Sequence, residues 1–267
     1  MNPKVSVLMG IYNCADTLEN AVNSIINQTY TNWELILCDD GSKDNTYEVA
    51  KRLKERESRI ILLKNKENLG LNKTLNNCLK VATGNYIARM DGDDDCLPQR
   101  FEKQVDFLET HPDFDITSST MIMFDDSGEW GRTTTVEYPT AENVVVGSPI
   151  CHAGVMLRKS CIDAVGGYTE DKRMLRVEDV NLWIKLYANG SRCYNFQEPF
   201  YRMRNDSNAF SRRKYIYRIN SAYVRLKGCK TLNLSIKYYI LALNPLICGL
   251  VPARLRQFIR KYQNSRN

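Results

Sequence analysis

Residues suited to chemistry gather at a few acidic stretches, and the densest is Asp91-Gly92-Asp93-Asp94-Asp95, four carboxylates in five positions. Like charges this close either push one another's pKa upward or recruit a cation. Their carboxylates form a hard oxygen donor set, the kind that holds Mg²⁺ or Mn²⁺ while phosphate oxygens fill other positions. The plainer alternative is an acidic, solvated loop before the helix that follows Pro98, favoured by the helix dipole. Asp39-Asp40-Gly41-Ser42 reads as a turn with a cap for the next helix; its paired carboxylates would also accept hydrogen bonds from a nucleobase N–H or a ribose hydroxyl. Glu178-Asp179 opens a segment whose Val180, Trp183, Ile184 and Tyr187 share a helical face. Acids stabilise such a helix start, and a carboxylate there can act as general base once a hydroxyl comes within hydrogen-bond reach. His152 suits a structural hydrogen bond as well as a ligand or substrate contact, whereas His111, before Pro112, reads as a surface helix end.

Each of these groups needs a rigid element behind it, and the apolar pattern supplies one. A buried strand over residues 5–9 leads into Asp16-x-x-Glu19, a capping-box pattern, and then Leu18, Ala21, Val22, Ile25 and Ile26 at helical spacing. The unit recurs: strand 34–38 and helix 46–56, strand 60–63, a turn at Gly70, helix 71–82, then strand 86–90. A helix beyond Pro98 to about residue 110, a strand over 116–124 and a polar connection over 125–139 continue it. Short β elements alternating with helices predict an α/β fold with a mostly parallel sheet flanked by helices. In such sheets ligands bind beyond the carboxyl ends of the strands. Tyr12-Asn13, Asp39-Asp40 and the 91–95 run all follow strands, so they should converge on one rim.

At 267 residues with 43% hydrophobic and 25% charged residues, the chain can bury a large core, which excludes disordered and low-complexity classes. Its net charge of +6 hides an asymmetry: 13 of the 37 Lys and Arg lie in residues 207–267, which hold no Asp or Glu, so that stretch is +13 and the first 206 residues are −7. We therefore expect two parts, a catalytic or binding domain over 1–206 and a basic, aromatic, helical extension over 207–267 that meets a membrane surface, a nucleic acid or another subunit. The longest apolar stretch, residues 238–253, is broken by Asn244, Pro245, Gly249 and Pro252 and falls short of the roughly 20 residues that span a bilayer. Nine scattered Cys without a C-x-x-C pair point to a reducing compartment and away from structural zinc. The start lacks signal-peptide architecture, so a cytoplasmic location is expected. No P-loop or G-x-G-x-x-G is present.

Read in order, Val5-Ser-Val-Leu-Met-Gly-Ile-Tyr-Asn13, Gln28-Thr-Tyr, Leu37-Cys-Asp-Asp-Gly-Ser42, Asn68-Leu-Gly70, the stretch from Gly84 to Asp94, Gly166-Gly-Tyr168 and Glu178-Asp179 with Trp183 resemble the inverting family 2 glycosyltransferases of the GT-A fold, of the bacterial surface-polysaccharide type. The resemblance covers roughly residues 3–205. Gly92 stands where the family usually carries Ala. Asp95 lengthens the acidic run and leaves the registers Asp91-x-Asp93 and Asp93-x-Asp95 both open, the family pattern favouring the first. The resemblance implies a Rossmann-like GT-A domain and a nucleotide-sugar donor, a UDP-sugar. Tyr12 would stack near the base and Asp39 would accept its imide N–H, with Asn13, Asp40 and Gly70 also on the donor. Asp93 and Asp91 would hold Mg²⁺ or Mn²⁺, Asp91 serving ribose or metal. Asp179 would be the general base, and Asp94, His152, Gly167, Tyr168 and Glu178 would lie near sugar or acceptor.

The Gln-x-x-Arg-Trp motif of processive synthases is not evident, which implies one sugar per encounter. The tail would hold the enzyme on the inner face of the cytoplasmic membrane, where a lipid-linked oligosaccharide is the implied acceptor and nucleic acid is not an expected partner. Two other classes compete. A nucleotidyltransferase would use the same rim but release pyrophosphate, and a nucleic-acid binder acting through the tail would show steep salt dependence and leave the acidic rim unexplained.

Overall fold

The computed structural model describes residues 2–205 and 214–250. Its first part alternates as the apolar pattern predicts: β1 (Val5–Ile11), α1 (Leu18–Ile26), β2 (Trp33–Asp39), α2 (Thr46–Arg56), β3 (Ile60–Lys64), α3 (Leu71–Val81) and β4 (Tyr86–Arg89). These strands are parallel and lie side by side in the order β3-β2-β1-β4. β1 and β2 are covered on both faces, so their residues divide by parity between two cores. Val5, Val7, Met9 and Ile11 of β1 and Leu35 and Leu37 of β2 pack with α1 and α2, while Leu8, Ile36 and Cys38 pack with α3 on the other side.

The second part is β5 (Asp95–Cys96), α4 (Arg100–Thr110), β6 (Ile116–Asp125), β7 (Gly128–Arg132), α5 (Ala141–Val146), β8 (Met156–Arg158), α6 (Lys159–Ala164), α7 (Glu178–Ala188) and β9 (Cys193–Arg204). β8 runs antiparallel between β4 and β6, and β9 lies parallel to β6 while carrying β5 antiparallel. The mixed edge extends the same sheet and brings β9 to the acidic stretch. The polar connection expected over 125–139 contains β7, which folds back on β6. The capping box expected at Asp16 does not form: α1 follows Thr17, which caps nothing and instead donates its hydroxyl to the Gly92 carbonyl at 2.9 Å. Thr17 thus ties a helix start to the acidic loop.

Beyond residue 214 come α8 (Ile216–Thr231), α9 (Ile236–Ala242) and α10 (Asn244–Leu250). α8 is built into the main core, because Val224 and Cys229 pack in one cluster with Trp183 and Ile184 of α7. A Cβ added at Gly228 would stand 2.5 Å from Ile184 Cδ1, so the two helices meet without room to spare. The boundary expected near residue 207 lies outside the described residues, as do Arg254, Arg256, Arg260, Lys261 and Arg266 of the basic tail. Among the described residues no helix is long and apolar enough to cross a membrane, and the nine Cys are all free.

Candidate active site

The chain lays down β1, β2 and β3 in one direction and then returns to place β4 on the other side of β1, with Val5 to Leu8 in register with Tyr86 to Arg89. Strand order reverses between β1 and β4, and the crevice beyond their carboxyl ends is where such sheets bind ligands. Tyr12 leaves β1 with 43% of its surface exposed. Asn13 turns the chain in the left-handed region (φ 50°). Its N–H donates to Ser42 Oγ at 3.1 Å and its Oδ1 accepts from the Lys43 N–H at 2.9 Å, which joins the loop after β1 to the loop after β2.

Asp39 and Asp40 differ sharply. Asp39 is buried at the end of β2 and among the described residues accepts only the Ser42 N–H, at 3.3 and 3.4 Å, so lone pairs remain for a further donor. The Asp40 carboxylate accepts three hydrogen bonds, from Asn65 Nδ2 (2.9 Å), the Leu69 N–H (2.8 Å) and the Gly70 N–H (2.9 Å). Asp40 therefore shapes the loop that carries Gly70, which starts α3 at φ 85°.

Asp91, Asp93 and Asp94 each offer a carboxylate oxygen, and these oxygens lie within 4.8 Å of one another, while Asp95 is turned away onto Arg202 at 3.1 Å. The register Asp91-x-Asp93 is thus the one brought together. Asp93 is exposed; Asp94 is buried, accepting the Tyr201 hydroxyl at 2.8 Å and the Arg204 N–H at 2.7 Å from β9. Asp93 keeps solvent access, yet the protein packed around its carboxyl, and then the charge of Asp91, raise its pKa; burial and the charges of Asp91 and Asp93 hold Asp94 well above the usual range. A clustered, all-oxygen donor set destabilised by its own charge fits a hard divalent ion. Gly92 is the family departure with a steric reason: a Cβ there would stand 3.0 Å from Cys14 Sγ and 3.2 Å from Ile11 Cγ2.

Across the crevice, α7 begins with Glu178 and Asp179 at its positive end. Asp179 Oδ2 accepts from Ser148 Oγ at 3.3 Å, and burial raises its pKa. Burial, reinforced by Asp179, pushes Glu178 up to about 7. His152 Nε2 and the Tyr168 hydroxyl are hydrogen-bonded at 2.8 Å, and the imidazole packs edge-on against Trp183. Burial, and then the charge of Arg89, holds this imidazole well below its ordinary pKa, so it is neutral. Gly167 serves packing. It turns at φ 66°, its carbonyl accepts from Lys185 Nζ at 2.6 Å, and an added Cβ would meet Asn76 Oδ1 at 2.7 Å.

Arg89 links the two sides, although it belongs to none of the acidic motifs. It is buried at the end of β4, paired with Asp91, and its charge also acts on Glu178, Asp179, Tyr168 and His152. A cation inside the otherwise apolar run Tyr-Ile-Ala-Arg-Met was the available signal, since a buried charge demands a partner. Tyr201 and Arg204 carried none, because they reach Asp94 only through the pairing of β9.

The strand-end carboxylates and the curled, mostly parallel sheet define a GT-A glycosyltransferase. Residues 6–163 match the family described as Glycosyl transferase family 2, and the chain belongs to that family. EpsE of Bacillus subtilis (strain 168), which bears a glycosyltransferase name, is 44% identical over 252 residues, 94% of this chain and 91% of its own. Escherichia coli WfaP, named UDP-Glc:α-D-GlcNAc-diphosphoundecaprenol β-1,3-glucosyltransferase, is 29% identical over 245 residues, 91% of this chain and 94% of its own. Among solved structures, S. aureus TarS 1–349 in complex with UDP-GlcNAc superposes with a TM-score of 0.70 at 18% identity, covering 92% of this chain and 72% of that one.

Proposed function

We propose that this glycosyltransferase moves one sugar at a time, with inversion, from a UDP-sugar to a hydroxyl of a lipid-linked oligosaccharide in surface-polysaccharide synthesis. The observation that carries the reading is the gathering of Asp91, Asp93 and Asp94 at the end of β4, with the Glu178-Asp179 helix start in the field of the same Arg89. Asp93 and Asp91 would hold Mg²⁺ or Mn²⁺, which when bound offsets the negative charge of the donor diphosphate and of the leaving group. Asp39 accepts the base N–H, Tyr12 offers a ring to the base, and Asn13, Asp40 and Gly70 fix the loops around it. Asp179 takes the proton from the acceptor hydroxyl as its oxygen attacks the anomeric carbon, the bond to the diphosphate oxygen breaks, and a single displacement inverts the configuration. Tyr168, His152, Glu178 and Asp94 wall this space, with Gly167 holding the turn beneath Tyr168.

EpsE's name supports glycosyl transfer, and WfaP's name supports a UDP-sugar donor and a polyprenyl-diphosphate acceptor. A cytoplasmic enzyme peripheral to the inner membrane face fits the outer side of α9 and α10, where Ile236, Ile240 and Ile247 are 76%, 69% and 65% exposed beside Lys237, ahead of the basic residues that follow. Apolar side chains with flanking cations suit an anionic lipid surface.

A panel of UDP-sugars with Mn²⁺ or Mg²⁺, scored for UDP release and for a rise in melting temperature, tests the assignment. One donor should stabilise the protein and release UDP only with metal; equal stabilisation in chelator, or release of pyrophosphate from a nucleoside triphosphate, would refute it.

A further inference from the structure

Arg225 lies on the inner side of α8 and is only 9% exposed. A guanidinium there must place its N–H groups or lose several kcal/mol of hydration uncompensated, on the order given for buried charges. It places them on backbone and hydroxyl oxygens: Nη1 donates to the Val145 carbonyl, Nη2 to the Gly147 carbonyl at 2.9 Å, and Nε to Ser221 Oγ, one turn back, at 3.1 Å. Val145 and Gly147 sit at the end of α5, where carbonyls lack helical partners and the dipole is negative. The next residue is Ser148, whose hydroxyl donates to Asp179. Among the described residues no carboxylate forms an ion pair with Arg225. The field that favours its charge against burial is that of Asp179.

We infer that Arg225 is a positioning residue for sugar transfer: by pinning the turn from Val145 to Ser148 it keeps the Ser148 hydroxyl on the Asp179 carboxylate and sets a fixed positive charge behind it. α8 is then part of the catalytic apparatus. The inference rests on the reading of Asp179 as general base.

The test is a ¹³C carboxyl NMR titration of Asp179 in the full-length protein, with its signal assigned through Asp179→Asn. Arg225→Gln keeps hydrogen bonds to the carbonyls but removes the charge, Arg225→Lys keeps the charge, and Ser148→Ala removes the hydroxyl. Asp179 also faces Glu178 on its own helix, Arg89 from β4 and Tyr168 from the loop before α7, and none of these is altered. A lost cation and a lost hydrogen bond both make the carboxylate harder to form. The midpoint should therefore rise in Arg225→Gln and in Ser148→Ala and stay near wild type in Arg225→Lys, while UDP binding with Mn²⁺ stays within about twofold. A midpoint unchanged in Arg225→Gln would overturn the inference, and Arg225→Met, which fills the site without charge or donors, decides it in the same way if Arg225→Gln fails to fold. Sugar transfer retained in Asp179→Asn would instead overturn the base assignment and leave the titration result standing.

Discussion

Arg89 and Asp91, two residues apart where β4 ends, form an ion pair in which the cation is buried and the carboxylate is one-third exposed. The pair gives one of three crowded carboxylates a cationic partner, and the same guanidinium charge acts on Glu178 and Asp179. Arg89 Nε has no hydrogen-bond partner among the described residues, so the pairing with Asp91 is a main compensation for its burial. A double-mutant cycle with Arg89→Met and Asp91→Asn should give a coupling of about 1–3 kcal/mol in urea unfolding. Additivity within about 0.5 kcal/mol would show that the pair contributes nothing.

The acid limb of turnover reports on α7. As the proposed base, Asp179 must be ionised to accept a proton, so the rate should climb as pH rises through its elevated pKa. Glu178 loses its own proton near 7, and the charge it then carries makes Asp179 harder to ionise. Glu178→Gln should shift the acid limb of kcat to lower pH. It should also raise the melting temperature at pH 8 but not at pH 5. A carboxyl whose pKa is raised on folding from 4.5 to about 7 favours the fold when protonated, and that contribution is lost as pH rises through the folded value. A limb that stays in place would separate Glu178 from the base.

Gly167 was expected near the sugar, and its geometry assigns it to the scaffold. Gly167→Ala should destabilise by about 1–3 kcal/mol, from the left-handed backbone and the clash with Asn76. Asn76 Oδ1 accepts the Tyr168 N–H at 2.9 Å, so some displacement of Tyr168 should follow. Differential scanning calorimetry measures the first effect; an unchanged melting temperature would return Gly167 to the ligand.

The outer side of α9 and α10 should bind anionic bilayers. Ile236→Ser with Ile240→Ser should weaken flotation with phosphatidylglycerol liposomes by roughly a hundredfold, two buried side chains being worth about 1.5 kcal/mol each. Equal flotation of variant and wild type would assign the face to something other than lipid.

The alternation of parallel strands with helices and the acidic strand ends were legible because parallel strands buried on both faces leave continuous apolar runs with polar breaks. Thr17 shows where local rules failed: a capping pattern at Asp16 lost to a tertiary hydrogen bond from Thr17 to Gly92 that no spacing announces. β9 was missed because its burial is irregular, the sheet bulging at Ser119 and Thr120 where it pairs with β6. With it went Tyr201 and Arg204, the partners that hold Asp94. The charge asymmetry of the last 61 residues suggested an appended tail. Val224 and Cys229 pack α8 in one cluster with Trp183 and Ile184 of α7, a packing that composition does not encode.

The account stands on one cation being shared by Asp91 and Asp93 on the side of the crevice that faces Asp179. Crystals grown with UDP and Mn²⁺, with data collected at the manganese absorption edge, measure this directly. The anomalous peak should lie between the Asp91 and Asp93 carboxylates with the diphosphate against it and the ribose end toward Asp39. A peak elsewhere, or UDP bound in the crevice with no manganese beside those two residues, would contradict the account.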